Sequence, residues 1–88
     1  MEKVDLLEGE KVEVLNLNNG QRLETYAIKG KRKSGVICLN GPSARLGFRG
    51  DTVFILSYGM YTEEEATKLK AKCVELDDKN KIKNTHMA

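Results

Sequence analysis

Tryptophan is absent from this 88-residue chain, proline and histidine occur once each, and cysteine occurs twice. Each shortage closes off a class of protein. Cys38 and Cys73 form no CxxC pair and no paired framework, so disulfides are not expected to brace the fold. His86, alone in a polar tail, can assemble neither a metal centre nor a Ser-His-Asp or Cys-His catalytic set. No apolar run approaches the roughly 18 residues of a membrane-spanning helix. No charged-then-apolar leader opens the sequence, and with two free thiols this fits a reducing cytoplasm. Charge of one sign is also missing: 15 Lys/Arg against 13 Asp/Glu leave a net charge of +2, which neither demands nor excludes a polyanionic partner.

What the chain does have is eight glycines set between short apolar stretches. Lys11-Val12-Glu13-Val14 alternates as a strand, and Leu15 and Leu17 then change register, predicting burial on both faces or a bulge near Leu15. Asn19-Gly20 predicts a two-residue type I′ hairpin turn. A second strand follows over Arg22–Ile28, with Leu23, Thr25 and Ala27 on one face and Arg22, Glu24, Tyr26 and Ile28 on the other. Residues 30–35 read as a loop, and Val36-Ile37-Cys38-Leu39 as a short buried strand. Within the glycine-rich stretch 40–51, Pro42 suits the first position of a short helical turn, and Arg49-Gly50-Asp51 reads as a turn.

Residues 52–59 form the longest apolar run and are expected to be the best core strand. Thr62 and Glu65 are spaced as a capping box, opening a helix that should end near Lys70. Residues 73–76, a turn at 77–80 and Lys81-Ile82-Lys83 predict a last hairpin, with Asn84 onward frayed. About six strands with one or two short helices give a mainly β fold, a small β-barrel of one domain over residues 1–84, with 85–88 as a frayed tail. A core this small is marginal alone, which points to assembly with other chains.

Three stretches invite a chemical reading. Arg22 presents a guanidinium fork suited to a carboxylate or phosphate; equally it could be a surface arginine lying along its strand. Tyr26 could donate a proton or be an ordinary barrel tyrosine. Four strand residues separate the two by about 13 Å, so one straight strand cannot bring both to a small ligand. Asn40-Gly41-Pro42-Ser43-Ala44, a strand end running into a helical turn, presents free N–H groups to an anion or is a simple corner. Lys29-Gly30-Lys31-Arg32-Lys33 could grip a phosphate backbone, yet no aromatic pair stands beside it to stack bases.

Taken together, NLNNGQRLETYAIKG, ICLNGPSARLGFRGDTVFILSYGMYTEEEA and VELDDKNKI resemble the aspartate decarboxylase family in order and spacing, over about Val4 to Ile82. The resemblance implies a double-psi β-barrel, assembled as a homo-tetramer with active sites between subunits. It implies a lyase that removes the α-carboxylate of L-aspartate to give β-alanine and carbon dioxide, in pantothenate biosynthesis. The implied cofactor is a covalent pyruvoyl group, made by autocatalytic cleavage at a Gly-Ser bond, whose carbonyl acts as an electron sink. Carried over residue by residue, Arg22 would clamp a substrate carboxylate, Tyr26 would protonate the carbanion and Thr25 would assist self-processing. Asn40 with Gly41, Ser43 and Ala44 would orient the substrate, and Ile28 would shape the pocket wall.

The chain departs from that pattern twice. Ser34, Ser43 and Ser57 follow Lys33, Pro42 and Leu56, so no Gly-Ser bond lies within these residues. The resemblance places that bond upstream of Met1, on a segment that becomes a short companion chain; the 88 residues alone are then expected to be inactive. Pro42-Ser43 also stand where the family has small alanines, and the proline removes one backbone donor. Two rival readings remain beside the enzyme: a non-catalytic binding or scaffolding barrel, and a small RNA-binding barrel using Lys29 to Lys33.

Overall fold

In the computed structural model the described residues are 1–87, apart from the side chains of Pro42 and Ser43. Strands dominate: β1 (Lys11–Asn16), β2 (Arg22–Tyr26), β3 (Val53–Ser57), β4 (Lys72–Leu76) and β5 (Ile82–Met87), with a single α-helix, α1 (Glu63–Lys68). Two 3-10 helices, Glu2–Val4 and Gly41–Leu46, complete the regular elements. The fold is mainly β, as expected from the strand periodicity. The strands form an antiparallel three-stranded sheet in the order β2-β1-β3 and a separate β4-β5 hairpin, and neither sheet closes into a barrel.

β1 is central because its alternation is unbroken. Val12, Val14 and Asn16 point inward and are buried, whereas Lys11, Glu13 and Leu15 point the other way. The bulge expected near Leu15 is not there; the chain keeps its period by burying Asn16, and Leu17 falls outside the strand. β2 alternates as read, with Leu23 buried, Thr25 and Ala27 half-buried, and Arg22, Glu24, Tyr26 and Ile28 exposed. Pairing continues past Tyr26, since Ala27 N–H donates to the Glu10 carbonyl at 2.9 Å and the Ala27 carbonyl accepts from Gly9 N–H at 2.7 Å.

Five sequence expectations are corrected. The β1-β2 connection is not a two-residue type I′ turn. Gly20 alone adopts positive φ, at 72°, and Gly20 N–H closes onto the Asn16 carbonyl at 2.9 Å. Asparagine side chains hold this longer turn: Asn16 Oδ1 accepts from Asn18 N–H and Asn19 Oδ1 from Gln21 N–H, both at 2.9 Å. Residues 36–39 form no strand and are mostly exposed, Val36 at 69%; an apolar stretch becomes a strand only with a ladder partner for its backbone groups, and none of the strands takes that place. The apolar run 52–59 supplies only β3, an edge strand with Phe54 53% exposed. Its one strand neighbour is β1, so one row of its backbone groups has no strand partner. The helix stops at Lys68 instead of running to Lys70, since Leu69 is already extended at φ −68°, ψ 135°. Finally, residues 84–87 are not frayed but paired: Asn84, Thr85, His86 and Met87 face Glu75, Val74, Cys73 and Lys72. Ala88 lies outside the described residues.

Other local readings hold. Thr62 Oγ1 accepts from Glu65 N–H at 3.2 Å while Glu65 Oε1 accepts from Thr62 N–H at 3.2 Å, a complete capping box. Pro42 sits in the first turn of the 3-10 helix Gly41–Leu46, and residues 49–50 turn the chain into β3. The β4-β5 hairpin is tied to the rest by polar contacts: Lys72 with Asp5, Lys81 with the Lys33 carbonyl, and Asn80 Nδ2 donating to the Gly35 carbonyl at 2.7 Å.

Candidate active site

The outward face of β1-β2 carries alternating charge. Antiparallel register sets Lys11 opposite Tyr26, Glu13 opposite Glu24 and Leu15 opposite Arg22. Two carboxylates directly across from each other repel, and each is matched diagonally by a cation. Arg22 Nη2 lies 3.2 Å from Glu13 Oε1, and Lys11 Nζ lies 3.3 Å from Glu24 Oε2. Glu13, Arg22 and Glu24, with Leu23 and Tyr58, line an open hollow of about 410 Å³ around Arg22, and a neighbouring hollow reaches Lys11 and Val12. The Arg22 side chain is 67% exposed, so its guanidinium is available to a ligand, while Glu13 is held more closely at 21%.

The residues proposed from sequence do not all meet there. Tyr26 is 62% exposed at the far end of the β1-β2 ladder from Arg22, and Ile28 lies beyond it at 57%. Thr25 is half-buried on the opposite face of the sheet, opposite Val12. Asn40 precedes the 3-10 helix without capping it, its Oδ1 accepting instead from the Cys38 Sγ–H at 3.1 Å. Gly41 takes φ 58°, Ala44 is exposed, and the side chain of Ser43 lies outside the described residues. The 3-10 helix packs against β2. One chain therefore brings Arg22 together with Glu13, Glu24 and Tyr58, none of them chosen from sequence, and leaves Tyr26, Thr25 and Asn40 apart.

A polar cluster that sequence reasoning also missed sits behind this face. Buried Asn16 donates through Nδ2 to Asp51 Oδ2 at 2.8 Å and to the Leu46 carbonyl at 3.3 Å. Asn19 Nδ2 reaches the same carbonyl at 3.1 Å, and Asn18 Oδ1 accepts from Thr52 N–H at 2.6 Å. Asp51 Oδ2 also accepts from Phe48 N–H at 2.9 Å. The Asn16 amide, then this backbone donor, hold the Asp51 carboxyl below its ordinary value. This cluster joins the hairpin that carries Arg22 to the end of the helix that follows Asn40. A signal was present in the sequence, for Asn16 is the one polar residue on the inward period of Val12 and Val14.

The basic loop offers less. Arg32 is paired with Glu2 at 2.8 Å, and Lys33 turns the chain at φ 63°. Among the described residues no three His, Cys, Asp or Glu side chains gather as a metal site, and no helix is long and apolar enough to cross a membrane.

The chain matches the family model described as aspartate decarboxylase over residues 1–83. It belongs to the aspartate decarboxylase family. It is 55% identical over 84 residues to the aspartate 1-decarboxylase of Acetivibrio thermocellus, covering 96% of this chain and 67% of that protein. With the aspartate 1-decarboxylase of Bacillus cereus strain G9842 it is 56% identical over 82 residues, covering 93% and 65%. With that of Listeria welshimeri it is 57% identical over 82 residues, again 93% and 65%. The chain thus spans about two thirds of the length of these aspartate decarboxylase relatives, and matches them along nearly all of its own.

Proposed function

We propose that this chain supplies the strands and substrate-binding residues of a pyruvoyl-dependent aspartate 1-decarboxylase, an enzyme converting L-aspartate to β-alanine and carbon dioxide. One observation carries the reading: Arg22, inside the family's match, stands exposed over an open hollow and has only one terminal nitrogen engaged by Glu13. A guanidinium so placed binds a substrate carboxylate with its remaining donors. Tyr26 delivers the proton that replaces the departing carboxylate, and Thr25 assists the self-cleavage. Asn40, with Gly41, Ser43 and Ala44, orients the substrate, and Ile28 walls it.

The pyruvoyl group supplies the electron sink when bound. No serine of these 88 residues follows a glycine, so the cleavage that makes the group does not fit within them. We assign it to a companion segment outside them, and the residues present do the binding, orienting and proton delivery. The reading includes a second copy of the chain, which would bring Tyr26 of one subunit toward Arg22 of another; the roughly 13 Å between four strand residues denies this to one subunit. The exposed surface of 7635 Å² exceeds by roughly 2,400 Å² the ~5,200 Å² of a compact monomer of this mass, an excess that is consistent with assembly with other chains, which we take to be a homo-tetramer.

The test is a β-alanine assay on the native sample beside intact mass of every polypeptide, with borohydride as a carbonyl probe. β-Alanine formation, with a reducible carbonyl at the head of one chain, supports the proposal. A single 9.9 kDa species with no reducible carbonyl and no product overturns it in favour of a non-catalytic binding barrel.

A further inference from the structure

The Arg22–Glu13 pair has a chemical meaning apart from holding two strands together. Glu13 extends from β1, the strand paired on both sides, and is the better held of the two side chains. Its carboxylate oxygen stands 3.2 Å from Arg22 Nη2, within ion-pair reach but longer than the roughly 2.7–2.9 Å of a tight charge-assisted bond, so a ligand carboxylate can compete for the same donor. Glu24 faces Glu13 across the ladder and lines the same hollow. Glu24 has its own cation in Lys11, so it does not compete for Arg22, but it adds negative charge where a second carboxylate would approach.

From this arrangement we propose that Glu13 sets the affinity of the clamp: an internal carboxylate that occupies one donor of Arg22 and must be shared or displaced by any carboxylate ligand. The inference rests on the reading of Arg22 as the substrate clamp. A carboxylate ligand gains from Arg22 little more than Glu13 already provides, and it meets the charge of Glu13 at close range. The strength of the grip on a carboxylate is thus set by a residue that need not touch the reacting atoms.

The direction of the effect separates this role from a structural one. Loss of a supporting residue weakens a site, whereas removal of an internal competitor strengthens it. Succinate, a dicarboxylate without an amine, reports on Arg22 independently of the pyruvoyl chemistry. Its affinity is measured by calorimetric or NMR titration of the native protein and of Glu13→Gln, Arg22→Ala and the double variant, with acetate as the monocarboxylate control. An exposed ion pair of this kind sets the scale, so Glu13→Gln is expected to tighten succinate by up to about fivefold. It should tighten acetate by a similar factor, because either ligand displaces Glu13 with one carboxylate. In the Arg22→Ala background the Glu13→Gln change should do nothing.

Unchanged or weaker succinate binding in a folded Glu13→Gln protein overturns the inference while leaving Arg22 as the clamp. Tightening that persists without Arg22 overturns it too, since Glu13 would then act by another route. Should succinate bind no better to the native protein than to Arg22→Ala, the reading of Arg22 itself fails, and this inference with it. Backbone amide spectra of each variant identify a loss of fold, and Glu13→Asp, which keeps the charge but draws it back from Arg22, replaces Glu13→Gln if the latter unfolds. For the aspartate variant, tighter succinate binding supports displacement of a contact and unchanged binding overturns it.

Discussion

Arg22 and Tyr26 share the outward face of β2 but lie at opposite ends of its ladder with β1, and they should fail in different ways when replaced. In the assembled decarboxylase, Arg22→Ala removes a charge-assisted grip on a carboxylate and should raise KM about tenfold or more; steady-state kinetics showing an unchanged KM would end the clamp role. Tyr26→Phe keeps the ring and loses the proton, so kcat should fall about 10²-fold or more while self-cleavage proceeds. Full turnover in that variant would mean the tyrosine only packs. Asp51 makes a prediction of another kind. Its carboxyl is held below the ordinary 3.8 by the Asn16 amide and the Phe48 N–H, so the folded state binds its proton less readily than the unfolded chain. The stabilisation is present above the unfolded value and is lost as pH falls through the lower, folded one. Urea midpoints of the native protein should therefore drop in this acid range, and more steeply than those of Asp51→Asn. Equal slopes would show that the Asn16 contact does not survive in solution. Asp77, held down by Lys81 and then Lys79 N–H, adds to the same acid loss.

At the scale of elements, the sequence was legible wherever a rule is local. The alternation of β2, the Thr62–Glu65 capping box and the turn at Arg49-Gly50 depend on neighbours in the chain, and all are present. What failed depended on distant partners. Val36–Leu39 has the composition of a buried strand and no edge to pair with, and the apolar run ending in β3 sits at a margin because β1 takes the centre. The inward place of Asn16 was unreadable because its partners, Leu46 and Asp51, lie 30 and 35 residues away. The candidate site was half legible for the same reason: Arg22 announces itself by type, whereas Glu13 and Tyr58 matter only through their placement beside it. One element-scale contact can be tested directly. Gly35 has φ +71°, and a methyl group there would fall 2.5 Å from the Lys79 carbonyl oxygen. Gly35→Ala should cost more than the ~1 kcal/mol expected of positive φ alone, and amide exchange should rise across the 77–80 turn. Exchange unaltered there would mean the hairpin is not docked on this loop.

For the molecule as a whole, the decisive quantity is the small core. Among the described residues only Val12, Val14 and Leu23 are buried hydrophobic residues, while Phe48, Phe54, Tyr58 and Met60 are exposed. A chain built this way would gain stability by covering those side chains in the proposed assembly, so its thermal midpoint should rise with protein concentration. A midpoint constant across a hundredfold dilution, with a monomer in sedimentation, would refute the tetramer. The tie between the hairpin and the segment leading into β3 has a temporal consequence as well. The β1-β2 hairpin closes over a few residues, but the Asn16–Asp51 hydrogen bond must bridge 35, and contacts of long sequence separation are slow to form. The hairpin that carries Arg22 is then expected to nucleate folding. The amide of Asn16 would find Asp51 only once β3 has docked, so Asp51→Ala, which leaves the Asn16 contact in the hairpin turn intact, should speed unfolding far more than it slows refolding.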